Sequence, residues 1–381
     1  MVMILNEFES IRPAYEASQE ETLEWLVQAH TASHASGLAL KEGDPGLSHF
    51  RKEIREKLWH VGCKPDSIRK RGHILSDYLH CDWKTMQVFC LNESPAGSSL
   101  SRRMAIYEAH ADRIFEQFYP DDQFAPDDLI HVTCTGYVSP SGAQKIVSQR
   151  NWGEKTTVTH AYHMGCNAAI PALRLASGFL AAKGGIADIV HTEICSLHAN
   201  PSMHGYDQLV TQSLFADGFI KYSAKQSSEL PHIKVHALHE EIIPNSSKSM
   251  TWKVTDWGFE MSLAKEVPTL IARALDGYLN RLCKKANCFP EKILSEAVFA
   301  VHPGGPKILQ YVRKLLHLKE KQMEHSYNIL ENFGNMSSAT LPHIWEAILE
   351  DRSIPSGTPV ISLAFGPGLT ICSAVMEKCG S

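Results

Sequence analysis

No apolar run in this chain reaches the roughly 18 residues that a membrane-crossing helix needs, and the opening stretch MVMILNEFESIRPAYEASQEE turns acidic before a signal-peptide core could form. A cytoplasmic location is expected, with no membrane partner. A basic surplus is also missing: 37 Lys and Arg stand against 42 Asp and Glu, a net charge of −5. Phosphate backbones are bound by basic surfaces, so nucleic acid is not an expected partner. One short exception, RKRGH (69–73), reads as a solvated helix end rather than an anion site. Low-complexity tracts and short repeats are absent, which argues against fibrous or solenoid designs. Nor is there a disulfide framework, because the ten cysteines are scattered through a large chain without an export signal. Each is expected as a free thiol and is judged singly.

What remains is an ordinary globular mix, 44% hydrophobic and 21% charged over 381 residues, long enough for a large two-lobed body. Residues 20–31 and 46–60 read as helices, and in SRRMAIYEAHADRIFEQFY (101–119) one stripe collects Met104, Tyr107, Ala111, Ile114, Phe115 and Phe118. Short β-branched runs follow: DLIHVTCTG (128–136), IADIVHTEICS (186–196) and SEAVFAVHPGG (295–305). Helices alternating with apolar strands predict an α/β protein with a largely parallel, buried sheet. Near the end, two strand-like runs in TPVISLAFGPGLTICSAVM flank Phe365-Gly366-Pro367-Gly368, the pattern of a closing hairpin. The polar stretch AKQSSEL (224–230) marks the best divide, giving halves 1–228 and 229–381.

Three segments place reactive residues at loop junctions: Gly165-Cys166 before a helix, HPGGP (302–306) after a strand, and NFGNMSSAT (332–340) before another helix. A thiol at a helix N-terminus gains thiolate character from the dipole and free amides. His302 could exchange the proton, and the neutral amide of Asn335 could join an imidazole in holding an oxyanion. Each has a plainer alternative: a small buried hydrophobe, a turn, a helix cap. His160, His163 and Cys166 recur every three residues, yet in an extended segment i and i+3 point to opposite faces, so no metal is expected. Cys283 and Cys288 fit no common zinc spacing and read as structural. Pro171 lies where a helix beginning at Asn167 would need its amide, so the regular helix should start slightly later.

GCNA around Cys166, LVTQSLFADG (209–218), HPGGPKIL (302–309), GNMSSAT (334–340) and AFGPGLT (364–370), in this order and spacing, resemble the type III polyketide synthases, the chalcone and stilbene synthase group on the thiolase fold. The resemblance implies a thiolase-like, five-layered αβαβα body of two related halves acting as a homodimer. It implies Cys166, His302 and Asn335 as the catalytic triad, with Cys166 loading an acyl group from a coenzyme A thioester and extending it with malonyl-CoA by decarboxylative condensation. No cofactor is implied beyond the coenzyme A substrates. Phe215 falls on the family's gatekeeper aromatic, Met261 near the second gatekeeper, and Cys195 and His198 where plant members usually carry threonines; Gly304, Gly305, Ser337, Gly366 and Pro367, within the shared motifs, are implied on the substrate side. The loop CTGYVSPSG (134–142) departs from the plant pattern at Tyr137 and Ser139. Cations that hold coenzyme A phosphates in plant relatives do not align plainly, which leaves Lys64, Arg69, Lys70 or Arg71 as substitutes, or delivery by an acyl carrier protein. The rival reading is a β-ketoacyl synthase III-like enzyme that performs one condensation.

Overall fold

The computed structural model describes residues 2–41, 43–275 and 277–380. β1 (Met3–Ile11) is followed by β2 (Tyr15–Ser18) and β3 (Lys70–His73), which pair antiparallel around two helices, Gln19–Leu38 and Pro45–Val61. Ser18 starts the first of these with a capping box, its hydroxyl accepting from the Glu21 amide while the Glu21 carboxylate accepts from the Ser18 amide. That helix runs beyond the expected 20–31 to Leu38. The helix Leu100–Phe118 buries the expected stripe except Met104, which is half-buried, and adds Arg103 and Ile106 to it.

The remaining strands are β4 (Asp128–Thr133), β5 (Thr157–Tyr162), β6 (Ala187–Ile194), β7 (Asp217–Lys225), β8 (His232–Ile242), β9 (Met250–Val254), β10 (Phe259–Leu263), β11 (Val298–Val301), β12 (Pro359–Gly366) and β13 (Thr370–Cys379). Eight of them join β1 in one nine-stranded sheet, in the order β11-β12-β13-β8-β1-β7-β6-β4-β5. The sheet is mixed rather than largely parallel. β4 runs parallel to β5 and β6, and β11 to β12. The other neighbours are antiparallel. At β12–β13 the cause is the expected hairpin: the three residues 367–369 can reverse the chain but cannot carry it back for a parallel strand.

The sheet repeats itself. From β1 outward it reads β1, β7, β6, β4, and from β8 outward β8, β13, β12, β11, with the senses antiparallel, antiparallel, parallel in both directions. The link between β7 and β8, within which residues 228 and 229 lie, joins the two sets. Three hydrophobic clusters define the layers. One packs the helices Ala169–Lys183 and Thr340–Glu350 between strands of both sets. A second sets the helices Gln19–Leu38 and Leu100–Phe118 outside β4 and β6. The third sets the helices of residues 267–315 outside β11 and β12. Helix, strand, helix, strand, helix is the five-layer stack. The central helix AIPALRLASGFLAAK is apolar on nearly all sides, as its position between two β layers demands.

Candidate active site

The β5 strand ends at Tyr162, and the chain turns through His163 and Gly165, both with positive φ, to set Cys166 before the helix Ala169–Lys183. Starting at Ala169 puts Pro171 in the first turn, where a missing N–H costs little. A Cβ on Gly165 would stand 2.4 Å from Pro367 Cδ, and one on Gly366 would stand 1.7 Å from Asn167 Oδ1. The Cys166 turn and the Gly366-Pro367 turn therefore touch backbone to side chain, and glycine is what permits it.

Asn335 is held by backbone. Its amide donates to Leu214 O at 3.1 Å, and its carbonyl accepts from Ala216 N at 2.9 Å, so residue 335 forms an isolated bridge beside Phe215. Its Oδ1 accepts the Ser337 amide at 2.9 Å. With Oδ1 engaged, the Nδ2 end is the free donor, and it hydrogen-bonds toward Cys166. The Oδ1 bond is of the capping kind, so Asn335 combines that role with a donor aimed at the thiol. Ser337, in the left-handed region at φ 50, places Oγ 3.7 Å from Cys166 Sγ and 2.9 Å from Cys134 Sγ. Behind Cys134, the buried Glu193 carboxylate accepts from the Cys134 amide at 3.1 Å, from Thr135 Oγ1 at 2.8 Å and from Ser338 Oγ.

Burial outweighs the helix dipole at the thiol. It pushes Cys166 up to about 12, against the hydrogen bonds from Ser337 and Asn335, so the resting sulfur is a protonated thiol rather than the expected thiolate. His302, directly after β11, is fully buried, and burial pushes its imidazole down to about 3. Both of its ring nitrogens are without a hydrogen-bond partner. The structure joins Cys166, Ser337 and Asn335, and leaves His302 unbonded.

Cys166, Cys195, His198, Phe215, Met261, Ser337 and Pro367, all expected at the site, border one cavity of about 40 Å³. Gly304, Gly305 and Gly366 do not, and neither do His302 and Asn335, which lie behind its wall. Gly305, at φ 138, precedes the helix Pro306–Leu315, and Gly366 serves close packing on Asn167. His198 is no free base, because Nδ1 accepts the Phe259 amide at 3.0 Å and Nε2 donates to Thr135 O at 2.8 Å. The cavity also has walls that the sequence reading missed, among them Trp252, Cys134, Gln208 and Gln212. Cys134 closes a strand in front of a loop, a position that could have marked it. Trp252 carries no local signal.

His160 bonds Ser141 and His163 bonds the Trp252 carbonyl, so they do not converge with Cys166 on a metal. Among the described residues no three His, Cys, Asp or Glu side chains are grouped to hold one. All ten cysteines are free. The basic run at 69–73 is not a solvated helix end: it forms β3, with Arg71 and His73 buried. Arg69 bonds Asn332, Lys70 pairs with Glu16 at 2.7 Å, and Arg71 donates to Gln212 O and Phe215 O. Of the four candidate phosphate-binding cations, exposed Lys64 alone keeps an unengaged ammonium among the described residues. Among the described residues no helix is long and apolar enough to cross a membrane.

Residues 234–379 match the C-terminal domain of chalcone and stilbene synthases. Type III polyketide synthase B of Arabidopsis thaliana is 24% identical over 343 residues, 84% of either chain. The chain is a relative of the type III polyketide synthases. Probable polyketide synthase 1 of Dictyostelium discoideum is 30% identical over 247 residues, 63% of this chain, and the chain spans only 8% of that protein's length. The solved C-terminal type III polyketide synthase domain of Steely1, a type I/III hybrid from Dictyostelium, superimposes with a TM-score of 0.81 at 20% identity, covering 100% of both chains. The fold is the thiolase-like fold of type III polyketide synthases, a group of acyltransferase-type condensing enzymes.

Proposed function

We propose that the chain is an iterative condensing enzyme that loads an acyl starter from a coenzyme A thioester onto Cys166 and lengthens it with malonyl-CoA, giving pyrone or aromatic polyketides. The observation that carries the reading is the enclosed Cys166 thiol bordering a cavity, with Asn335 Nδ2 aimed at it and locked there by the Ser337 amide. In loading, Sγ attacks the thioester carbonyl, its proton passes to His302, and coenzyme A leaves as the thiol after taking that proton. Transfer inside the pair creates no net charge, which is how a neutral thiol and a neutral imidazole can yield a thiolate in a dry site. Malonyl-CoA then breaks its bond to the carboxylate. Carbon dioxide leaves, and the electron pair remains as an enolate whose oxygen is held by Asn335 Nδ2 and His302. The enolate carbon attacks the acyl thioester and Cys166 thiolate departs, leaving a β-keto chain two carbons longer on coenzyme A.

Phe215, Met261 and Cys195 shape the space for the growing chain, with Lys64 the remaining phosphate contact. The half 1–228 supplies the thiol and the half 229–381 the His and Asn. The enzyme acts as a homodimer in the cytoplasm and needs no metal or organic cofactor. The test is intact-protein mass spectrometry with acyl-CoAs from acetyl to palmitoyl, followed by malonyl-CoA and product identification. Acylation that maps to Cys166 and yields pyrones or resorcinols supports the reading. Acylation only from acyl carrier protein, with one condensation, replaces it by the β-ketoacyl synthase III-like alternative.

A further inference from the structure

The hairpin β9–β10 is a two-stranded sheet that pairs with no other strand among the described residues. Two strands alone are marginal in water, so its place above Cys166 depends on what ties it down. It carries Trp252 and Met261, which stand opposite each other in register and both border the cavity. Trp252 Nε1 donates to Cys134 O at 2.6 Å, His163 Nε2 donates to Trp252 O at 3.0 Å, and Gln208 Nε2 donates to Met261 O at 2.5 Å. One backbone bond, Leu100 N to Asp256 O at 3.1 Å, holds the turn.

His198 differs from these ties because one ring grips both sides. Its Nδ1 takes the Phe259 amide of the hairpin while its Nε2 donates to Thr135 of the body. The ring also lies flat on Phe259, centroids 4.4 Å apart and 8° from parallel, and meets Trp252 edge-on at 5.6 Å. The turn that presents it is itself fixed: buried Arg103 donates to the carbonyls of Leu197 and Ala199 on either side. As found, about 40 Å³ has room for about three waters. A growing acyl chain needs more, and the hairpin is a wall that no other strand among the described residues pairs with.

The geometry points to His198 as a positioning residue, the clasp that sets how far the hairpin roof lifts and thereby how many two-carbon units the cavity takes before release. This rests on the condensing function proposed above.

The test compares wild type with His198→Leu, His198→Gln and Trp252→Phe by hydrogen exchange over residues 250–263 and by product analysis with acyl-CoA and malonyl-CoA. Each lost hydrogen bond is worth about a fivefold change in a local opening equilibrium. His198→Leu, losing the one bond that crosses to the hairpin together with the ring stacked on Phe259, is expected to exchange at least about fivefold faster in the hairpin and not elsewhere, and to shift products toward longer chains. His198→Gln, which keeps a donor and an acceptor, should return both readouts toward wild type. Trp252→Phe keeps the ring and loses one tie, so about fivefold faster exchange is expected even where the leucine variant fails to fold. Unchanged exchange in the hairpin overturns the clasp, as does a product shift without faster exchange, which would make His198 only a wall. A wild-type protein that condenses no thioester overturns the proposed function instead, and the exchange data still decide whether His198 holds the roof.

Discussion

Replacing Asn335 with Ala separates catalysis from folding at the residue where the two are most easily confused. The bonds that stitch residue 335 to Leu214 and Ala216 are backbone bonds and survive truncation. What is lost structurally is the acceptor for the Ser337 amide, and a buried N–H left unpaired costs about 1–3 kcal/mol. Against a typical stability of about 5–15 kcal/mol, the variant stays folded. What is lost chemically is a fixed neutral donor aimed at the developing enolate oxygen, an interaction worth about 10²–10³ in rate, or about 2.7–4 kcal/mol. The expected outcome is a modest fall in the urea midpoint with carbon dioxide release from malonyl-CoA reduced at least a hundredfold, about the low end of that range. Acylation of Cys166 should fall less, because the thiol and His302 are intact. A folded variant that decarboxylates malonyl-CoA within about threefold of wild type would refute the assignment of Nδ2 as the oxyanion donor.

Three further outcomes follow from particular contacts. Cys166→Ala should remove every acyl adduct seen by intact-mass measurement while leaving the thermal transition nearly in place, and an adduct that persists would move the nucleophile elsewhere. Gly366→Ala forces a Cβ to 1.7 Å from Asn167 Oδ1, next to the nucleophile; overpacking of this kind costs about 1–3 kcal/mol, so both the urea midpoint and the acylation rate should drop. At Glu346, half-buried on the helix Thr340–Glu350, burial pushes the carboxyl up to about 7, opposed by the Ser10 hydroxyl and reinforced by Glu350. A carboxyl raised in the fold costs nothing below its unfolded value of about 4.5, and the cost grows until pH passes the folded value. The full shift, discounted for partial exposure, corresponds to about 2 kcal/mol. Glu346→Gln should therefore stabilise the protein by about that amount at pH 8 and not at pH 4, and superimposable pH profiles of wild type and variant would contradict it.

The candidate turns were legible in the sequence because glycine, proline and a reactive residue lie within a few positions of one another, where local sterics alone decide. Gly165-Cys166, HPGGP and GNMSSA announce themselves that way, as do the apolar runs of the sheet, the closing hairpin and the delayed helix start at Pro171. The order and sense of the strands were not legible: periodicity marks which residues are buried but carries nothing about which strand lies beside which. The same limit hid the burial of Arg71 and Arg103, each of which donates through Nη1 to carbonyls far away in the chain. It also hid the state of Cys166, since a helix dipole is local and the desolvation that overrides it comes from five packed layers. Trp252 makes the limit plainest. Its identity is ordinary in the sequence, and only tertiary packing, by laying a hairpin paired with no other strand of the described residues beside Cys166, makes it a wall of the cavity; His198 was expected there, but its bonds to Phe259 and Thr135 were decided by the same packing.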